Sequence, residues 1–294
     1  YNGKKTLGLF IYDLADKSFT RKLFQHDTYD VSGIVLSADG KRVIGAEYIA
    51  DSVETVFFDA KAKARMETIQ SKLAGYTLRF MDETPDGNKV LLKAHAPDVP
   101  ASLILFNVST GKWMNMGNAY PALSGFTHAH VQPVKYTVQD GESIPGYVTL
   151  PQKVLATGKI ENVPFIVLPH GGPFSRDTAS FDYIAQYLAS RGYGVLQMNF
   201  RGSIGYGFEF QQAGRSDWRV MQSDVTDGAN WLLEKGYADK DRMCIMGWSY
   251  GGYAALMGAV EHSDMYKCAI SIAGVTDLPA LADDLMKFRF GRRM

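Results

Sequence analysis

Cysteine is nearly absent from this chain. Only Cys244 and Cys268 occur among 294 residues, with no spacing suited to a metal or a disulfide framework. Both fall in apolar, strand-like stretches, where two buried thiols are expected. Neither sign of charge is in excess, since 31 Lys and Arg face 31 Asp and Glu. No block of basic residues forms, which argues against nucleic acid as a partner. No apolar run approaches the ~20 residues that a membrane-spanning helix needs. An initiator methionine and a signal sequence are also missing. The chain opens on Tyr1-Asn2-Gly3, and we expect it to begin inside a longer protein. The missing targeting segment therefore leaves the compartment open between cytoplasm and periplasm. What is present is 46% hydrophobic content over a length sufficient for two domains.

The most informative stretch is Gly247-Trp248-Ser249-Tyr250-Gly251. It lies between apolar Met243-Cys244-Ile245-Met246 and the helix-like Tyr253-Ala254-Ala255-Leu256-Met257. The run reads as strand, sharp turn and helix with a serine at the apex, the context a G-x-S-x-G nucleophile elbow requires. Such a serine takes a strained backbone conformation that lifts its hydroxyl clear of the sheet. Side chains two residues to either side would collide in so tight a turn, hence glycine at both places. A helix starting at Tyr250 aims its N-terminal amides at the site, where they can hold an oxyanion. The alternative is a glycine-rich turn with an ordinary serine; the flanking strand and helix favour the nucleophile.

The first third carries an internal repeat. Ser37-Ala38-Asp39-Gly40-Lys41-Arg42-Val43-Ile44 matches Thr84-Pro85-Asp86-Gly87-Asn88-Lys89-Val90-Leu91 at an offset of 47, which is 86 minus 39. Leu9-Phe10-Ile11-Tyr12-Asp13, Val56-Phe57-Phe58-Asp59 and Leu103-Ile104-Leu105-Phe106-Asn107 keep the same step, starting at 9, 56 and 103. Asp-Gly supplies a hairpin turn that tolerates positive φ. A four-stranded unit with a period in the forties is the signature of a β-propeller blade. Two elements on one period favour a propeller over a β-sandwich with accidental similarity. About two blades and parts of others fit before residue 120, too few to close a ring, so an incomplete propeller is expected.

After Pro121 the pattern changes. An antiparallel hairpin is expected from strands over 134–138 and 144–150. Strands over 164–168, 194–199, 243–246 and 268–272 then alternate with helices over 177–191, 221–235 and 250–261. Such alternation indicates a parallel sheet with helices on both faces. Leading antiparallel strands and a later elbow are the order of an α/β-hydrolase. Two further loops follow strand ends, where that fold builds its site. One is His170-Gly171-Gly172-Pro173, whose glycine amides can serve an oxyanion, although Pro173 cannot donate. The other runs from Asn199 to Gly207. Its glycines would let the Tyr206 phenol approach the nucleophile as a side-chain oxyanion donor. His170 more readily fixes its loop than moves a proton, because it precedes the nucleophile.

HGGP at 170–173, FRGSIGYG at 200–207 and GWSYGGY at 247–253, behind a propeller-like repeat, resemble the prolyl oligopeptidase family of serine peptidases. The likeness is strongest to the acylaminoacyl-peptidase and dipeptidyl-peptidase branches and most specific over 127–280. It implies a partial propeller over 1–126 and the N-terminal part of an α/β-hydrolase catalytic domain over 127–294. It also implies that Ser249 attacks a peptide carbonyl while the Tyr250 amide and Tyr206 hydroxyl hold the oxyanion. The propeller would restrict entry to short peptides. Trp248, His170, Gly171, Gly172 and Arg201 are candidates to line the pocket, and Asp224 or Asp227 is expected to cap or pair. No cofactor is implied, and homo-oligomers are compatible with it.

One departure stands out. In this fold the acidic residue and histidine of the triad follow the serine, yet only 45 residues (294 minus 249) remain here. His262 ends the elbow's own helix, roughly 20 Å away at ~1.5 Å per residue. Asp264, Asp277, Asp283 and Asp284 lack a strand-end context. The chain is therefore expected to be a fragment without the triad's acid and base, inactive alone. The ending from Lys287 to Arg293 reads as a solvated segment rather than an anion patch. His128 and His130 could bind zinc but have no third ligand, so no metal is expected. Trp113, Trp218 and Trp231 read as core or blade residues. A carboxylesterase on the same scaffold and a non-catalytic interaction protein remain as alternatives.

Overall fold

The computed structural model describes residues 5–287. The opening tripeptide and the basic run over 288–293 lie outside the described residues.

The N-terminal part forms three antiparallel sheets. The first pairs β1 (Gly8–Asp13) with β2 (Ser18–Gln25). The second contains β3 (Val31–Leu36), β4 (Val43–Ile49) and β5 (Val53–Phe57), and is followed by helix α1 (Ala60–Lys72). The third contains β6 (Thr77–Glu83), β7 (Lys89–Ala96), β8 (Val99–Asn107) and β9 (Trp113–Asn118). The sequence repeat is a repeat of hydrogen bonds. Ser37 Oγ donates to Asp39 Oδ1 at 2.6 Å, and Thr84 Oγ1 donates to Asp86 Oδ1 at 2.5 Å. Gly40 and Gly87 close the two turns at φ 69° and 68°, where a side chain would be strained. β1, β5 and β8 are the strands that recur at the 47-residue step.

The second unit departs from the four strands expected. Its fourth place is taken by α1, because residues 60–72 are rich in Ala, Lys, Met, Glu and Gln and lack strand alternation. Asp59 caps this helix by accepting from Ala62 N at 2.9 Å. Ala62 and Ile69 then bury against Val35, Ile44, Phe80 and Leu92, closing a core between the second and third sheets.

The α/β part follows with β10 (His130–Thr137), β11 (Ser143–Leu150), α2 (Gln152–Thr157) and β12 (Val163–Val167). Next come α3 (Tyr183–Ser190), β13 (Gly194–Met198), α4 (Phe208–Ser216) and α5 (Trp218–Glu234). The described chain closes with β14 (Ala238–Trp248), α6 (Tyr250–Glu261), β15 (Cys268–Ile272) and α7 (Leu278–Lys287). The sheet order is β10-β11-β13-β12-β14-β15. β10, β11 and β13 pair antiparallel, and every later pairing is parallel. Alternation along the strands separates two apolar layers. Val195 meets Leu168 and Ala185 of α3, whereas Leu196 meets Val225, Ala229 and Leu232 of α5. Helices therefore cover both faces.

Two expectations are corrected. The helix expected from 177 begins only at Tyr183, because the preceding residues are tied to the N-terminal sheets. Arg176 donates to the Ile49 and Ala50 carbonyls at 2.9 and 2.6 Å, and Ala179 N donates to Asp51 O at 2.6 Å. Asp182 then caps α3 by accepting from Ile184 N and Ala185 N. The cysteines are not buried thiols. Cys244 and Cys268 are in register on adjacent parallel strands, with Cα atoms 4.8 Å apart, and form a disulfide. Cys268 is exposed and Cys244 partly so.

Replacing Asp59 with alanine removes the cap of α1. A loss of about 1 kcal/mol is expected, with Asp59→Ser retaining most of the stability. Urea unfolding of the two variants beside the parent protein measures the difference.

Candidate active site

β14 delivers Ser249 and α6 leaves from it, so the serine sits where the chain reverses. Its backbone holds φ 55° and ψ −118°, a conformation that non-glycine residues avoid. The turn is pinned by Ser249 N donating to Ile272 O at 3.0 Å, and by Ser249 O accepting from Tyr253 N at 3.1 Å. There is no room beside it. A Cβ on Gly247 would stand 2.1 Å from Gly251 O, and one on Gly251 would stand 2.1 Å from Pro169 O. Ser249 itself is exposed, as is Trp248.

Three loops meet at this point. Gly171 passes against the serine so closely that a Cβ there would lie 3.5 Å from Ser249 Cβ and 3.0 Å from Trp248 O. The His170 ring stacks on Phe200 with centroids 4.3 Å apart, and Phe200 lies 5.8 Å from the Tyr250 ring. Both imidazole nitrogens are engaged: Nδ1 with Gly171 O at 2.7 Å and Nε2 with Ser203 Oγ at 2.8 Å. Burial pushes the His170 pKa down to about 4, so at neutral pH the ring carries one proton. Gly171 O can only accept, which assigns that proton to Nδ1; the Ser203 hydroxyl, 2.8 Å from Nε2 and 2.7 Å from Phe200 O, has one proton for those two acceptors. His170 is thus a neutral brace for the glycine loop.

Tyr206 has other partners. Its phenol oxygen accepts from Arg176 Nη2 at 2.7 Å and from Asn199 Nδ2 at 2.8 Å, and the Arg176 guanidinium lies over its ring. Burial pushes this phenol up to about 12, so it stays protonated. Arg201 is likewise committed. Asp224, fully buried, takes its Nη2 at 2.6 Å and its backbone amide at 2.8 Å, and Asp140 takes Nη1. Asp227 accepts from Gln139 N at 3.1 Å. Both aspartates therefore pair rather than line the serine's surroundings.

Arg176, Asn199 and Ser203 were not singled out from the sequence. The one available signal was Asn199, a polar residue directly ending a fully buried apolar strand. His128 packs edge-on against Phe181, and His130 opens β10. No group of three His, Cys, Asp or Glu side chains able to hold a metal occurs among the described residues. Trp231 packs on Tyr136 as a core residue should. Trp113 and Trp218, by contrast, are 50% and 41% exposed.

A mostly parallel sheet, helices on both faces and a strained serine between β14 and α6 define the α/β-hydrolase class of architecture. The profile described as the Prolyl oligopeptidase family matches residues 179–291. Dipeptidyl aminopeptidase BIII of Pseudoxanthomonas mexicana is 33% identical over 286 residues, covering 95% of this chain and 41% of its own length. The acylamino-acid-releasing enzyme of Arabidopsis thaliana is 34% identical over 128 residues, covering 40% and 16%. Among solved structures, a puromycin-hydrolyzing peptidase of Mycobacterium tuberculosis superposes with TM-score 0.67 at 24% identity, covering 91% of this chain and 41% of that one. A puromycin hydrolase structure gives TM-score 0.69 at 23% identity, covering 95% and 43%. The chain belongs to the prolyl oligopeptidase family. It spans about two-fifths of the first of these relatives, 41% of its length.

The state of His170 has a measurable consequence. An unfolded imidazole takes a proton near pH 6.5, and the native one only near 4. Stability from the neutral ring is therefore fully present above 6.5 and is lost as pH falls from 6.5 towards 4, by up to roughly 3 kcal/mol. His170→Phe keeps the stack and cannot titrate. Its unfolding free energy, measured in urea at pH 7 and pH 4.5, is expected to fall less over that window than the parent's; parallel losses would refute the assignment.

Proposed function

We propose that this chain carries the nucleophile of a serine peptidase that hydrolyses short peptides through an acyl-enzyme on Ser249. The observation that carries the proposal is a strained, exposed Ser249 at the start of α6 with Gly171 packed against it. Ser249 Oγ attacks the scissile carbonyl carbon, and the carbonyl oxygen becomes the oxyanion. The Tyr250 amide, first of α6, faces that charge with the helix dipole behind it. The second donor on this reading is an amide of the Gly171–Gly172 loop, which lies against Ser249; the other candidate is the Tyr206 hydroxyl, whose oxygen accepts from Arg176 and Asn199 and so keeps its own proton to give. Collapse of the oxyanion breaks the peptide C–N bond and expels the amine, which takes the proton removed from the serine; water then hydrolyses the ester and restores the Ser249 hydroxyl.

A general base must take the serine proton. His262 sits at the far end of α6, about 20 Å away by helical rise, and His170 has both nitrogens committed. Base and acid accordingly come from sequence outside these residues, and the chain alone is inactive. We read the three small sheets as propeller blades over 1–126 that narrow access to a catalytic domain starting near 127. The names of the relatives, a dipeptidyl aminopeptidase and an acylamino-acid-releasing enzyme, favour short peptides over esters.

In the full-length protein Ser249→Ala is expected to lower turnover about a millionfold and to abolish labelling by a fluorophosphonate. Labelling that persists in the variant would exclude Ser249 as nucleophile. Turnover of a peptide anilide well above that of a nitrophenyl ester supports the peptidase, and the reverse supports a carboxylesterase. Tyr206→Phe separates the two oxyanion assignments. With the glycine loop as donor, turnover changes less than about tenfold; a loss of 10²–10³ would return the role to Tyr206.

A further inference from the structure

Between the N-terminal sheets and the loop leading into α3 lies a cavity of about 260 Å³ that the peptidase reading does not use. Its polar lining includes Ser52, Lys93, His95, Thr178 and Ser180, with Tyr120 beside them. Lys93 and His95 stand two apart on β7 and share one face of that strand. Thr178 and Ser180 approach from the α/β side with their hydroxyls 2.9 Å apart. No carboxylate is among the lining residues. Three acids stand close by in the fold. Asp177, next to Thr178, has one carboxyl oxygen without a partner, and burial pushes its pKa up to about 8, so it is largely protonated at pH 7; the other two have partners of their own. Glu47 pairs with Arg79, the cross-strand neighbour of Lys93, at 2.8 Å, and the Asp51 carboxylate accepts from Tyr147 Oη at 3.3 Å.

His95 is the group left over. It is 8% exposed, and its Nδ1 is buried without a hydrogen-bond partner. Burial and the neighbouring Lys93 ammonium hold its imidazole below the usual pKa. A cation, an imidazole that the cation disfavours charging and three hydroxyls converge with nothing negative among them. An anionic group placed there would satisfy the orphaned nitrogen and remove the electrostatic conflict.

We propose that this cavity binds a small oxyanion, a carboxylate or phosphate group, accepting hydrogen bonds from Lys93, His95 and the one proton that the paired Thr178 and Ser180 hydroxyls leave free. The volume corresponds to several waters at ~30 Å³ each, enough for phosphate or the end of a short peptide. Because Lys93 and His95 belong to the N-terminal sheets and Thr178 and Ser180 to the α/β part, the bound group ties the two together. Two sources share this chemistry: inorganic phosphate, and the free C-terminal carboxylate of a peptide.

The test uses the full-length protein titrated at pH 7 with inorganic phosphate, acetylglycine and acetylglycinamide. Calorimetry and the His95 imidazole NMR signals are the readouts. One equivalent of phosphate or acetylglycine is expected to bind and move the His95 signals, with acetylglycinamide at least tenfold weaker. Lys93→Gln, an exposed position, and His95→Gln are each expected to weaken binding fivefold or more. Tighter binding of acetylglycine assigns the site to a peptide carboxylate, and tighter binding of phosphate to an inorganic oxyanion. The proposal is overturned if neither anion binds by 50-fold excess over protein at millimolar concentration. It is equally overturned if Lys93→Gln leaves affinity unchanged or if the amide binds as well as the acid. Activity does not enter these readouts, so failure here leaves the peptidase assignment standing.

Discussion

At the elbow, three backbone segments meet with no atom to spare. β14 runs into a turn whose outgoing helix lies so close that Gly247 faces the Gly251 carbonyl, while Gly251 faces the carbonyl of Pro169 from the neighbouring loop. β12 and β14 are adjacent parallel strands, so the loops at their carboxyl ends are forced into this contact. The same closeness holds Ser249 in its strained conformation and lays Gly171 alongside it. Elbow and glycine loop are one object. Neither can shift without the other, which is how a serine is kept in a conformation costing of order 1–3 kcal/mol.

The loops that back Ser249 also join the two parts of the chain. Arg176, six residues beyond His170, reaches the Ile49 and Ala50 carbonyls and the Tyr206 phenol together. Asp30, buried in the N-terminal part, accepts from Leu7 N at 2.7 Å and from Gly207 N at 3.2 Å. Asn199 clamps the chain at Asp177 through both its amide groups. Buried polar groups satisfied on both sides fix one relative placement of the segments they bridge. The position of the sheets over the α/β part is therefore set by the same residues that shape the site.

Local chemistry made much of this readable. Asp-Gly turns at a 47-residue step, alternating strands and a glycine-flanked serine each encode their own conformation over a few residues, and the structure forms them where the sequence placed them. Elements set by distant contacts were read less well. Residues 177–182 have the composition of a helix start, yet the bonds to Ile49, Ala50 and Asp51 keep this stretch out of a helix until Asp182 caps α3. Trp113 stands on β9 of the third sheet, but Trp218, also read as a core or blade residue, opens α5 and is exposed, because burial is not a local property of an aromatic side chain.

The sequence by itself determined the turn at Ser249, the order of strands and helices and the repeat, because propensity, periodicity and glycine spacing act within ten residues or so. The tertiary structure alone decided which side chains meet. The Cys244–Cys268 bridge depends on register between β14 and β15. The commitment of Arg201 to Asp224, of Tyr206 to Arg176 and Asn199, and of His170 to Ser203 depends on which strand lies beside which. Hydrogen bonds between residues far apart in the chain, Arg176 and Ile49 at 127 positions among them, carry no periodic trace in a sequence, and it is these bonds that turn a list of candidate residues into a site.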